Sequence, residues 1–168
     1  MPNQRTLGRG GGRRILESML VPAASCAGVG GNTRPSMLNH ELLVQSAIDF
    51  ASSRFPVGEL VAASARTKSG RILTGVWCDA RVDSAALCAE TGPICQAHAL
   101  DDPVTASICI ARDSTEGGYR VLPACGVCQE RLAFWGLDVL IAIPGNKYGG
   151  ICDFLPLREL RPYYWGEV

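Results

Sequence analysis

The first helical pattern of apolar residues lies between positions 39 and 55. Its apolar positions form one face and are Leu43, Val44, Ala47, Ile48, Phe50 and Ala51. This spacing predicts an amphipathic helix with Asn39 as its N-cap. Two strand-like patterns follow at 60–67 and 71–77, and the turn residues Lys68-Ser69-Gly70 separate them. The pattern predicts a β-hairpin.

Residues 104–112 and 139–143 are almost continuously apolar, which is typical of strands buried on both faces. Between them the sequence predicts a turn at 113–118, a short strand at 119–122 and a helix at 126–135 that Gly136 closes. A further helix is expected from 88 to about 100, with a kink or late start at Gly92-Pro93. A short helix at 157–162 ends the pattern. The strand–helix–strand order favours a parallel pairing in an open α/β sheet.

Two short segments carry the candidate chemistry, Cys88-Ala89-Glu90 and Cys125-Gly126-Val127-Cys128. Catalytic zinc takes three protein ligands and keeps a fourth position for water, whose pKa falls to about 7. Glu90 stands two residues after Cys88 and is placed to carry protons between water and substrate. Both segments precede predicted helices, and helix N-termini favour negatively charged ligands. The sequence therefore predicts a hydrolytic metal centre.

These residues allow three other interpretations. A structural zinc site needs a fourth protein ligand, and the nearest candidate, His98, lies about 15 Å along a helix from Cys88. A redox pair at Cys125 and Cys128 has no use for the upstream cysteine and glutamate, while a solvated Glu90 is the simple alternative at a helix start. The other cysteines of the body are expected to be buried apolar residues; they are Cys78, Cys95, Cys109 and Cys152.

The composition of the chain predicts a tail followed by one domain. The 168 residues are 47% hydrophobic and 19% charged, which suits one compact domain. Residues 1–36 are rich in Gly, Arg, Ser and Pro, so they are expected to form a flexible tail, or to follow a wrongly assigned start codon. Residues 37–168 are expected to form a single catalytic domain.

Charge and cysteine usage limit the partners. Residues 1–36 hold five arginines and one glutamate, so the remainder has 11 basic against 15 acidic residues, which disfavours polynucleotide binding. No apolar run approaches the roughly 20 residues that span a membrane. The eight cysteines fall mostly in apolar segments without a convincing export signal, so a reducing cytoplasm is expected.

The two segments together resemble the zinc-dependent cytidine deaminase superfamily, whose signature is His-or-Cys-x-Glu followed by Pro-Cys-x-x-Cys. With cysteine rather than histidine at position 88, the sequence is similar to the branch of the family that acts on free nucleosides. That branch includes blasticidin-S deaminases. The resemblance implies that Cys88, Cys125 and Cys128 bind one Zn²⁺ per subunit and that Glu90 moves protons while ammonia leaves. It also implies a three-layer α/β/α sandwich with a mixed five-stranded sheet, assembled as a homotetramer.

Several positions depart from the family pattern. Family nucleoside deaminases carry Asn-x-Glu for the ribose, where this sequence has Trp77 and Asp79. Thr91 and Gln129 stand where arginines are frequent. Residues 53–58 resemble a segment of the family's nucleoside deaminases in which a phenylalanine lies near the pyrimidine. The alternative is that Phe55 only packs at the end of the helix. Four residues are therefore candidate substrate-binding residues, namely Phe55, Trp77, Asp79 and Ala89.

Three hypotheses about function follow. The first is deamination of a free cytosine nucleoside, cytidine or deoxycytidine, to the uracil form. The second is a blasticidin-S-type or other aminopyrimidine deaminase, which the altered ribose positions favour. The third is a deaminase-fold binding module that keeps zinc for stability without turnover. The acidic body and Cys88 disfavour a polynucleotide-editing deaminase.

Overall fold

The computed structural model describes residues 35–114, 117–148 and 150–163, so residues 1–34 of the predicted tail lie outside the described part. The helices are α1 (Pro35–Arg54), α2 (Thr91–Leu100), α3 (Gly126–Leu132) and α4 (Leu157–Leu160). The strands are β1 (Leu60–Thr67), β2 (Ile72–Val76), β3 (Val104–Arg112), β4 (Arg120–Leu122), β5 (Leu140–Tyr148) and β6 (Cys152–Pro156). Short 3₁₀ turns occupy Asp83–Ala85 and Ala133–Trp135.

The strands form one mixed sheet in the order β2-β1-β3-β5-β6, and β4 pairs with β3 outside this path. The predicted hairpin is confirmed, with Ala62 opposite Val76 in antiparallel register. The predicted parallel pairing is confirmed as well, since Ser107 of β3 pairs with Ile141 of β5. The predicted five-stranded path is therefore present, with β4 as a sixth strand.

Helices cover both faces of the sheet. Alternate residues of β3, such as Ile108 and Ile110, pack against α1 residues including Leu43 and Ala47. On the other face, Ile94 of α2 shares a second core with residues of α3 and β5. Because strand side chains alternate between faces, odd-numbered residues of β3 such as Ser107 point toward α2 and α3. The result is the expected three-layer α/β/α sandwich.

The structure corrects two element boundaries and adds one strand. Helix α1 begins at Pro35, upstream of the predicted cap Asn39, and proline suits a helix start because its missing N–H has no partner there. Strand β5 runs to Tyr148 and pairs with β6, which the sequence patterns did not predict. Helix α2 starts late, at Thr91, as expected from Gly92-Pro93. No helix of the described residues has both the length and the apolarity needed to cross a membrane.

Candidate metal centre and the adjoining cavity

The segment that holds Cys88 and Glu90 is fixed on both sides. A backbone bridge joins Cys78 to Leu87 just before it, with N···O distances of 3.0 and 2.9 Å. At its end, Thr91 N donates to Cys88 O at 2.9 Å and Ile94 N donates to Glu90 O at 3.1 Å. Glu90 is thus the N-cap residue of α2.

Gly75 of β2 packs against this segment so closely that a side chain does not fit. A Cβ built on Gly75 would lie 2.5 Å from Ala89 O and 2.6 Å from Cδ of Pro93. Both neighbours belong to stiff parts of the chain, the backbone and a proline ring. The close contact with Gly75 therefore fixes the distance between the Cys88–Glu90 segment and strand β2.

The second pair of cysteines belongs to the start of α3. Cys125 is the N-cap residue in extended conformation, and Gln129 N donates to its carbonyl oxygen at 2.8 Å. Cys128 lies in the first turn and is fully buried. The three Sγ atoms of Cys88, Cys125 and Cys128 lie within 4.8 Å of one another. The Cys88 and Cys125 Sγ atoms are 3.4 Å apart.

This thiol group fits a zinc ion. Tetrahedral zinc with Zn–S bonds of about 2.3 Å places its sulfur ligands about 3.8 Å apart, within the range these three atoms span. In the described part of the chain, no fourth Cys, His, Asp or Glu side chain joins the group. Three protein ligands with an open fourth position are the arrangement of catalytic zinc.

Burial acts against ionisation of two of these thiols. It raises the pKa of Cys88, and the neighbouring Cys125 raises it further. Burial also raises the pKa of Cys128, with the negative charge of Glu90 as the next cause. At Cys125 burial raises the pKa as well, but hydrogen bonds from the Cys128 backbone and from neighbouring thiols outweigh it and lower the pKa. A bound divalent cation would reverse this balance, since coordinated thiols lose their protons.

Glu90 is buried beside the thiol group, with 3% of its surface exposed. Ser107 of β3 donates from Oγ to its Oε1 at 3.0 Å. Burial raises the pKa of Glu90, and hydrogen bonds from Cys128 and Ser107 only partly oppose this. A carboxylate with a raised pKa next to a metal position is suited to accept and return protons near neutral pH.

A cavity of about 610 Å³ lies at the end of the sheet where β1 begins and β3 ends. Three of the four candidate substrate residues, Phe55, Trp77 and Asp79, line it together. The other lining residues are Glu59, Leu60, Val61, Ala111, Arg112, Asp113 and Arg120. Ala89, the fourth candidate, is not among them and is only 1% exposed.

The cavity lining stops short of the three clustered cysteines and Glu90, yet the two regions adjoin. Val61 and Ala111 line the cavity and pair across β1 and β3, and the pair Ala63 and Cys109 lies two residues further along. Ala63 and Cys109 pack against Ala89, and Val61 contacts the same cluster. Two residues along a strand span about 6.6 Å. The cavity and the metal centre are therefore neighbours on one face of the sheet.

Two positions that lack the frequent arginines make other contacts. Arg131 of α3 donates from Nη1 to Thr91 Oγ1 at 2.7 Å, so an arginine reaches the start of α2 from the neighbouring helix. Gln129 donates from Nε2 to Ala124 O at 2.7 Å. It thereby holds the turn that precedes Cys125.

The remaining cysteines and His98 are only partly as predicted. Cys109 and Cys152 are buried, but Cys78 and Cys95 are exposed, so the expectation of burial was wrong for those two. They lie on the outer sides of a loop and of α2, where a small residue need not face the core.

His98 packs against Phe134 and Trp135, with ring centroids 4.7 and 4.6 Å apart. It takes no part in the thiol group.

Sequence reasoning missed two residues that touch the site. Ser107 contacts Glu90 from 17 positions away, and Arg112 contacts Phe55 from 57 positions away. The available signal was weak, namely one serine and one terminal arginine in the mostly apolar strand β3. A polar residue in a doubly buried strand needs a partner.

The chain resembles several solved structures. The chain is similar to the crystal structure of a cytidine deaminase from Bacillus anthracis, with 40% identity, a TM-score of 0.72, and coverage of 76% of this chain and 90% of that chain. A mutant cytidine deaminase from Mycobacterium tuberculosis is 25% identical, with a TM-score of 0.56 and coverage of 80% and 97%. The cytidine deaminase from Burkholderia pseudomallei shares the fold, at 17% identity, a TM-score of 0.58 and coverage of 75% and 98%. No protein-family model and no curated protein matches.

Proposed function

The chain belongs to the cytidine deaminase family, and from this premise we propose that it is a zinc-dependent hydrolase that deaminates a free cytosine nucleoside. Cytidine or deoxycytidine and water are converted to the uracil nucleoside and ammonia. One observation carries the proposal. Three thiols that fit a zinc ion lie beside a buried glutamate with a raised pKa.

The metal is assigned to Cys88, Cys125 and Cys128, with one Zn²⁺ per subunit. The bound ion would supply Lewis-acid activation of a water molecule at its open position. Cys125 and Cys128 belong to the first turn of α3, whose N-terminal partial charge stabilises negatively charged ligands. Arg131 adds a cation near the start of α2 through its contact with Thr91.

Glu90 is assigned the proton transfers. Ser107 holds Oε1 of Glu90, which leaves Oε2 to take a proton from the attacking water. The same carboxyl delivers this proton to the ring nitrogen N3 while the water oxygen bonds to C4. It then takes the second proton from the resulting C4 hydroxyl and delivers it to the departing amine. The C4–N bond breaks and ammonia leaves. Exclusion of bulk water from the buried carboxyl keeps these protons at the site.

Substrate recognition is assigned to the cavity. Its volume of about 610 Å³ exceeds that of a nucleoside. Phe55 offers an aromatic ring to the base, and Trp77 offers apolar surface. Asp79 uses Oδ1 to accept from Ala80 N at 2.9 Å, and its second oxygen is placed to accept a sugar hydroxyl. Ala89 is proposed to contribute through its backbone at the edge of the metal centre.

The arginines of the cavity support a small uncharged substrate over a polynucleotide. Arg120 pairs with both carboxylate oxygens of Asp113, at 3.1 and 2.8 Å. Arg112 is turned toward backbone carbonyls. Arginines already engaged in this way are poor partners for a phosphate chain.

We further propose that the protein is a homotetramer and that it is located in the cytoplasm. The cytoplasmic location is consistent with the seven described cysteines being free thiols.

A blasticidin-S-type or other aminopyrimidine substrate is the second candidate. It is favoured by the exposure of Trp77 and Asp79, which stand at the positions where family nucleoside deaminases hold the ribose. An exposed tryptophan, 46% accessible, leaves room for a substituent unlike ribose. The two candidates share the metal centre and differ only at the cavity.

The test is turnover by purified protein of known zinc content. Cytidine, deoxycytidine, cytosine and blasticidin S are supplied in turn, and the change in absorbance and the release of ammonia are followed. Glu90→Gln, which keeps the shape of the side chain, is expected to retain zinc and lose turnover. Glu41→Gln, on the exposed face of α1, is the matched control. Zinc-loaded protein that releases ammonia from none of these compounds would favour the non-enzymatic binding module.

A further inference from the structure

Arg112 ends β3 with a side chain that is buried, 7% exposed, although it carries a charge. Its guanidinium reaches the segment that joins α1 to β1. Nη2 donates to Phe55 O at 2.7 Å, and Nε donates to Gly58 O at 3.1 Å. One planar group thus binds two carbonyls that are three residues apart. Hydrogen bonds from a charged donor are stronger than neutral ones.

The guanidinium is also braced from its other side. Nη1 donates to Tyr119 OH at 3.5 Å, and Cζ of Arg112 lies 5.7 Å from the centroid of the Tyr119 ring. The Tyr119 hydroxyl in turn lies 2.8 Å from Oγ of Ser52 at the end of α1. Within the described ranges Arg112 forms no ion pair. Its neighbour Asp113 is already paired with Arg120.

The segment that Arg112 holds is one wall of the cavity. Phe55 and Arg112 both line it. Gly58 has φ of +82°, a left-handed conformation that only glycine adopts easily. The turn brings the chain from the end of α1 into β1, where Leu60 and Val61 continue the lining. The position of the Phe55 ring therefore depends on where the carbonyls of 55 and 58 are held.

We propose that Arg112 is a positioning residue for substrate binding, which acts by clamping the Phe55–Gly58 turn against the end of β3. Arg112 does not contact the reacting atoms. It fixes the aromatic wall against which the base is bound, and misplacement of such a wall by about 1 Å is costly. This inference rests on the proposed function, since it assigns the cavity to the substrate.

Two variants test the clamp. Arg112→Met keeps an unbranched apolar chain and removes all the donors, whereas Arg112→Lys keeps the charge but not the planar fork. We expect KM for cytidine to rise by about tenfold in Arg112→Met and by a smaller factor in Arg112→Lys, with kcat within about threefold of wild type. Zinc content should be unchanged. Arg158→Met, which breaks an exposed ion pair with Asp138, controls for loss of an arginine.

Hydrogen exchange of the backbone amides at residues 57–59 gives a readout that does not need substrate. Exchange there should be faster in both Arg112 variants and unchanged in Arg158→Met. If the wild-type protein turns over cytidine but both Arg112 variants keep the wild-type KM, this inference is wrong while the proposed function stands. The same conclusion follows if kcat falls by the same factor as KM rises. Absence of wild-type turnover overturns the proposed function and this inference with it.

Discussion

Ser107 Oγ lies 3.0 Å from Oε1 of Glu90 and donates a hydrogen bond to it. Both side chains are buried, with 1% and 3% of their surface exposed. The two residues come from β3 and from the start of α2, so the bond joins the central strand of the sheet to the carboxyl that is proposed to carry protons. One oxygen of the carboxyl is thereby held, and rotation of the carboxyl group is restricted.

Removing this hydroxyl should impair the chemical step. We expect Ser107→Ala to lower kcat by about tenfold, as suits the loss of a hydrogen bond to a charged group worth about 1.5 kcal/mol, with KM and zinc content nearly unchanged. Because the bond lowers the pKa of Glu90, its loss raises that pKa. The acid limb of the kcat profile should therefore move to higher pH.

Ser64 provides the control for that experiment. It is another fully buried serine, on the neighbouring strand β1, and its Oγ has no hydrogen-bond partner among the described residues. Ser64→Ala should leave kcat and the acid limb in place. An equal loss of activity in both serine variants would assign the effect to packing of the sheet.

Gly75 should tolerate no side chain. In Gly75→Ala the new methyl would meet Ala89 O and Pro93 at distances well below van der Waals contact. We expect a loss of about 1–3 kcal/mol in the free energy of unfolding, as for other overpacked sites, and weaker zinc binding because the Cys88–Glu90 segment is displaced. Unfolding in urea and a competitive zinc titration measure the two effects.

Gly118 is the matched control for Gly75. Within the described part of the chain a Cβ at Gly118 meets no atom within 4 Å, and the φ of Gly118 is not positive. Gly118→Ala should leave stability and zinc binding unchanged, or raise stability slightly through the unfolded state. Intact zinc affinity in Gly75→Ala would contradict the assigned role of the β2 contact.

The thiol group should bind one zinc ion per chain. Substitution of serine for any one of Cys88, Cys125 and Cys128 is expected to remove most of the bound metal, measured by elemental analysis after dialysis. Because burial raises the pKa of Cys88 and Cys128, zinc binding must displace their protons. The apparent zinc affinity should therefore fall as the pH is lowered.

Serine at Cys78 or Cys95 is the comparison for the ligand variants. Both cysteines are exposed and lie outside the thiol group. These variants should keep the full zinc content. A chain that loses zinc equally from all five variants would contradict the three-ligand assignment.

Asp102 should stabilise the fold in a pH-dependent way. It accepts hydrogen bonds from the backbone N–H of Ser69, at 3.1 Å, and from the Ser69 hydroxyl. These bonds lower the pKa of Asp102 in the folded state below the unfolded value of about 3.9. The stabilisation is complete above the unfolded pKa and is lost as the pH falls through the folded pKa.

Asp102→Asn should therefore be less stable than wild type at pH 7, and the difference in urea midpoint should shrink as the pH falls below about 4. Asp101→Asn is the control, because Asp101 has φ of +50° and asparagine accepts that left-handed conformation. A constant difference between Asp102→Asn and wild type across this pH range would contradict the linkage.

Local sequence patterns predicted most of the elements. The apolar run of β3 and the turn residues of the β1–β2 hairpin specify structure within a few residues of themselves. Strand β6 was missed because Cys152–Pro156 is short and ends in proline. Its conformation depends on antiparallel pairing with β5. The Gly149-Gly150 sequence was a turn signal that pointed to such a hairpin.

The cluster of Cys88, Cys125 and Cys128 was predictable to the residue because a metal site requires particular side chains at short spacings. That the cluster binds zinc stays a prediction. The contacts of Ser107 and Arg112 were not predictable, since each partner lies far away in sequence and the register of β3 decides which residues meet. Phe55, Trp77 and Asp79 line one cavity. Their roles toward a substrate remain predictions.

Under the proposed function, recognition and reaction belong largely to separate parts of this chain. The cavity is lined by residues of the ranges 55–79 and 111–120, while the thiols and Glu90 belong to the starts of α2 and α3. Substitutions in the first set can alter substrate preference without disturbing the second. Two homologues that share Cys88, Glu90, Cys125 and Cys128 but differ at positions 77 and 79 are therefore expected to run the same reaction on different compounds.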